Sequence, residues 1–99
     1  MRFQFADDEL RRLYSDPDFH LPRLGPDLTT QYRRKMQVLV SAGDERDLRA
    51  MRSLHFEKLA GKRAHQHSIR LNDQFRLILQ LEADDEGRFL NIVEITDYH

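Results

Sequence analysis

Two arginines separated by a short turn, in "SIRLNDQFR", put Arg70 at the end of one alternating run and Arg76 at the start of the next. If both runs are strands joined through "NDQ", the two guanidiniums stand side by side on one sheet face. Paired planar forks suit a phosphate, whose oxygens accept hydrogen bonds in twos. The plainer reading is a solvated sheet face that happens to carry two arginines. Upstream, "EKLAGKRAHQHSIR" adds Lys58, Lys62 and Arg63 with planar polar side chains between them, which is what holding a nucleic-acid backbone requires. A charged, solvated loop is the competing reading. Downstream, the strand-like "NIVEI" leads into Asp97, Tyr98 and His99. A carboxylate, a phenol and an imidazole thus follow one another, and the imidazole titrates near neutral pH.

Other chemistries find less support. The chain has no cysteine, which removes disulfides, thiolate metal sites and a cysteine nucleophile. Its 4 glycines are isolated, so no phosphate-cradling loop is present. His65 and His67, two apart in a strand, face the same way, but no cysteine or spaced carboxylate trio completes a metal set. Ser68 lacks the context of an activated serine.

Charge is segregated along the 99 residues although the net value is only −1. Residues 46–76 hold 8 basic against 3 acidic side chains, and residues 77–99 hold 1 against 6. Fields are screened beyond roughly 8–10 Å, so the basic middle can attract a polyanion whatever the total.

The elements that must position these groups follow from periodicity. "RFQF" alternates as a short strand would, and Asp7 or Asp8 can cap a helix reaching about Ser15. "DPDFHLPRLGPD" carries all 3 prolines and reads as a loop. Asp27 can cap a second helix with Leu28, Tyr32, Met36 and Leu39 on its buried face and Arg33 and Arg34 elsewhere. "DERDLRAM" is a further helical turn. From Leu54 the period becomes strand-like through "LHFEKLAG", "QHSIRL", "FRLILQLE" and "RFLNIVEIT". The expected architecture is α+β: one domain over residues 1–99, with two N-terminal helices packed on one face of a small twisted antiparallel sheet and the opposite face left polar. No leader-like or membrane-length apolar run occurs, so the default expectation is a soluble cytoplasmic protein.

The run "EKLAGKRAHQHSIRLNDQFR", with the later "DYH", resembles the HigB branch of the RelE/ParE superfamily, the toxins of type II toxin–antitoxin systems. The likeness is most specific over the C-terminal half and covers the N-terminal half in layout. It implies a curved antiparallel sheet carrying two helices, and a metal-independent endoribonuclease that cuts messenger RNA on the ribosome through the 2′-hydroxyl. Arg76 matches the family's catalytic arginine, and Asp97, Tyr98 and His99 match its terminal triplet. Lys58, Lys62, Arg63 and Arg70 would bind RNA. A small HigA-like helix-turn-helix antitoxin is the implied partner, for which Phe19 and Leu21 are candidate exposed contacts; no cofactor is implied. The sequence departs from the pattern at Ala60, where a lysine is usual, and at Phe75, where a tryptophan is common. Two other readings stand beside this one: a non-catalytic inhibitor of DNA gyrase, as in the ParE branch, or a degenerate toxin that only binds its antitoxin or RNA.

Overall fold

The computed structural model describes residues 1–97. Helix α1 (Asp8–Ser15) begins where the Asp7 carboxylate accepts hydrogen bonds from the amides of Glu9 (2.8 Å) and Leu10 (3.2 Å). Those amides have no partner inside the helix, so the cap satisfies two otherwise orphaned donors. Asp7→Ala is expected to cost about 1 kcal/mol. A thermal melt should register this as a fall in Tm of about 4–8 °C for a chain of this size.

Helix α2 (Gly25–Ser41) starts two residues before the expected Asp27 cap. Pro26 sits in its first turn, where a missing N–H costs nothing, and Asp27 lies inside that turn, where its charge favours the helix dipole. Leu28, Tyr32, Met36 and Leu39 are buried as their spacing predicts. The Tyr32 hydroxyl donates to the Leu10 carbonyl (2.7 Å), tying α2 to α1, and burial pushes its pKa up.

The other face of α2 is less simply basic than its sequence reads. Arg33 turns back on the proline loop, donating to the carbonyls of Leu13 (2.9 Å), Phe19 (3.0 Å) and Asp16 (3.2 Å). Phe19 packs half-buried against the core under the Arg12 guanidinium, and Leu21 is only 7% exposed. The two residues expected to be exposed partner contacts therefore seal the loop onto the core, because Arg33 pulls the loop inward. Helix α3 (Glu45–Ala50), capped by Asp44, leads into a 3-10 turn at Arg52–Leu54.

Five strands form one open sheet: β1 (Phe3–Phe5), β2 (Glu57–Lys58), β3 (Gln66–Arg70), β4 (Phe75–Asp84) and β5 (Gly87–Asp97), in the order β1-β5-β4-β3-β2. Strands β2 to β5 form the expected antiparallel meander. Strand β1 instead pairs parallel to β5, making the sheet mixed. No hairpin joins β1 to its neighbour, so nothing local forces an antiparallel pairing.

A bulge corrects the phase of β5. Leu79 pairs with Ile92 but Ile78 pairs with Glu94, so Val93 is the extra residue. Ile92 and Ile95, three apart in sequence, thereby both face the helices opposite Leu79 and Leu77. The same shift turns Glu94 and Thr96 to the open face, beside Ile78 and Arg76.

Candidate active site

Pairing of β3 with β4 sets Arg70 directly opposite Arg76. The turn between them is made by Asn72, whose side-chain oxygen accepts from the amides of Gln74 (2.9 Å) and Phe75 (2.7 Å). Arg70 is ion-paired with Asp73 of that turn. Arg76 is held more deeply, with a side chain only 13% exposed. Its guanidinium donates to the Ser68 hydroxyl (3.2 Å) and to the carbonyl of His55 (3.2 Å).

His55 ends the 3-10 turn in the left-handed region (φ 49°), a conformation histidine tolerates better than most residues. That twist is what brings its carbonyl to Arg76. From β2, the Glu57 carboxylate approaches the Arg76 guanidinium at 3.9 Å, and Glu57 lies opposite Ser68 in the sheet. His55, Arg70, Asn72, Asp73, Gln74 and Arg76 line a cleft of about 170 Å³. Cationic forks, a carboxylate and an imidazole-bearing residue thus converge at one end of the open sheet face. Such a set can bind a phosphate and accept or return a proton.

The remaining expected residues are distributed as follows. Asp97, paired in register with Phe75, accepts a hydrogen bond from the Gln74 side chain (2.9 Å) and so stands at the rim of the same end. Lys58 is exposed on the edge strand β2, two residues from Ala60. Lys62 and Arg63 belong to the 3-10 turn Gly61–Arg63; Arg63 reaches over the sheet to Gln66 (2.9 Å) and Glu94 (2.6 Å). Tyr98 and His99 lie outside the described residues.

His67 points to the helix side, stacked on the Phe56 ring at 4.7 Å and 7°. Burial, with Arg49 nearby, lowers its pKa below 6.5. An unfolded chain then binds the proton more readily than the folded one, so stability should fall as pH drops below about 6.5. His67→Phe should flatten that acid limb, which denaturant melts at pH 5.5 and 7.5 will show.

Glu57, Ser68, His55 and Gln74 are the parts of the site that sequence reading missed. Aligning "HFEK" antiparallel to "HSIR" would have placed Glu57 opposite Ser68. A two-residue strand, however, carries too little alternation to make that alignment stand out.

A five-stranded open sheet with helices on one face and this cluster on the other defines a RelE/ParE-type toxin fold. The YoeB/ParE toxin from Agrobacterium tumefaciens shares it, with a TM-score of 0.54 over 100% of both chains at 14% sequence identity. The family model for the RelE-like toxin of the type II toxin–antitoxin system HigB matches residues 3–99, and the chain belongs to that family. Toxin HigB-1 of Vibrio cholerae is 38% identical over 81 residues, covering 81% of this chain and 83% of that protein. An uncharacterized protein of Haemophilus influenzae is 32% identical over 84 residues, covering 85% and 82%. Membership of a toxin–antitoxin family implies an antitoxin partner. No helix among the described residues is long and apolar enough to cross a membrane.

Proposed function

We propose that this toxin is a ribosome-dependent endoribonuclease that cuts messenger RNA in the cytoplasm, using the RNA's own 2′-hydroxyl as nucleophile. The observation that carries the reading is the Arg70–Arg76 pair at a cleft, with Arg76 fixed by Ser68 and the His55 carbonyl beside the Glu57 carboxylate.

In this reaction the 2′-oxygen attacks phosphorus in line, loses its proton to a base, and the 5′-oxygen leaves as it gains one. The products are a 2′,3′-cyclic phosphate and a 5′-hydroxyl. Arg76 and Arg70 stabilise the charge that develops on the phosphorane; Lys58, opposite His67 on the edge strand, lies on the other sheet face and takes no part in this step. Glu57, beside the Arg76 guanidinium, would take the 2′-proton, and His99, which matches the family triplet, would serve in proton transfer. Tyr98 would hold the substrate by stacking or through its hydroxyl, and Asp97 would fix the rim through Gln74. A HigA-like helix-turn-helix protein is the antitoxin that this reading calls for.

The test is expression in a growing bacterium, followed by growth curves and mapping of messenger RNA 5′ ends. Growth arrest with new 5′-hydroxyl ends inside translated messages supports the reading. Arrest with intact messages and inhibited supercoiling by gyrase would move the chain to the non-catalytic branch, and unimpaired growth would leave only a binding role.

A further inference from the structure

His67 is a buried titratable group that the cleavage chemistry leaves unused. It is 8% exposed, and its Nδ1 is enclosed without a hydrogen-bond partner among the described residues. What orients the ring is the near-parallel stack on Phe56, at 4.7 Å and 7°. The Arg49 guanidinium of α3 also lies over the Phe56 ring, 5.5 Å from its centroid. Helix α3, the approach to β2, and β3 therefore meet at this stack on the helix side of the sheet.

Behind the stack, on the open face, stand the groups that hold Arg76. Successive side chains of a strand point to opposite faces. Ser68, which follows His67, and Glu57, which follows Phe56, therefore project toward Arg76 while the two rings project away from it. The His55 carbonyl that accepts from Arg76 belongs to the peptide unit that includes the Phe56 nitrogen. Because that unit is planar, anchoring Phe56 on one side, with His55 left-handed on the other, sets the direction of the oxygen. Backbone pairing gives this segment little support, since β2 is a two-residue strand at the edge of the sheet. The half-buried Phe56 ring, packed against the core and stacked on His67, supplies the anchor.

We propose that His67 is a positioning residue for Arg76: through its stack on Phe56 it braces, from the helix side, the His55 peptide and the Glu57 strand that hold the guanidinium in the cleft. For its kinetic consequence the proposal rests on the RNA-cleavage reading; for the posture of Arg76 it rests on geometry alone. The brace needs a flat ring, not an imidazole as such. Phenylalanine should therefore replace His67, and leucine, apolar but not planar, should not.

The test measures cleavage at a single messenger RNA site on ribosomes, with kcat and KM separated, for the wild type, His67→Leu, His67→Phe and Phe56→Leu. Circular dichroism at the assay temperature confirms that each is folded. Phe56→Leu, at a half-buried position, keeps the test open if His67→Leu does not fold. Each leucine variant should lower kcat by about 10- to 100-fold with little change in KM, since a misplacement of about 1 Å suffices for such a loss. His67→Phe should recover most of it. Combining the two leucine substitutions should be little worse than either alone, because both remove the same contact. As a readout independent of cleavage, the Arg76 Nε–H NMR signal should be sharp and slow to exchange in the wild type and in His67→Phe, and broadened in both leucine variants. Leucine variants that melt earlier yet keep the wild-type kcat and Arg76 signal would overturn the proposal and leave a stack that only stabilises the fold. So would a His67→Phe variant as impaired as His67→Leu. If the wild type cuts nothing, the nuclease reading fails, and the Arg76 signal alone decides for or against the brace.

Discussion

Arg76→Ala is expected to reduce messenger RNA cleavage by about 100- to 1,000-fold, the range for removing one preorganised donor from a developing oxyanion. The side chain is 13% exposed and already oriented by Ser68 and the His55 carbonyl, so little reorganisation precedes the reaction. Arg76→Lys should recover only part of the loss. A lysine brings the charge, but a single ammonium cannot bond Ser68, the His55 carbonyl and two phosphate oxygens in one plane. Growth of cells expressing each variant, with primer extension across a cut message, gives the comparison. A variant that folds as the wild type does and cuts at an undiminished rate would remove Arg76 from the chemistry.

Leu79→Ala is the substitution expected to cost most in stability, about 2–5 kcal/mol. Leu79 is fully buried, and it pairs with Ile92 at the bulge where β5 changes phase. Truncation there leaves a void between the helices and the sheet that neighbouring strands cannot close without shifting register. A domain of this size is stable by only about 5–15 kcal/mol, so the loss is a large share of the total. The effect should reach the site as well, because the bulge is what turns Glu94 and Thr96 toward the open face. Urea melts should show a reduced midpoint with an unchanged slope. Leu81→Ala, at a partly buried position on the same strand, should cost clearly less.

How far the sequence could be read differs by element, for physical reasons. Helical spacing in Leu28, Tyr32, Met36 and Leu39 is a strong signal and was legible, as was the adjacency of Arg70 and Arg76, since a short turn fixes register locally. The parallel pairing of β1 was not legible, because three residues with no hairpin carry no directional information. Nor was the bulge: Ile92 and Ile95 are out of phase in sequence, and only packing against Leu77 and Leu79 shows that both face inward. Arg33 was legible as a cation but not as a clamp on carbonyls, since its partners are a loop some 14 to 20 residues away. Phe19 and Leu21 read as exposed for the same reason. Of the site, the cations were visible as residue types, whereas Glu57 and His55 enter through a two-residue strand and a left-handed turn that periodicity does not register.

The central claim is that the Arg76 cleft cuts RNA through the substrate's own 2′-hydroxyl. Its most direct test is cleavage, on ribosomes, of a message carrying one 2′-deoxynucleotide on the 5′ side of a mapped cut. The account predicts that cutting disappears at that phosphate alone, while unmodified sites in the same message are still cut and end in 2′,3′-cyclic phosphates. Cutting that persists at the deoxy position would contradict it.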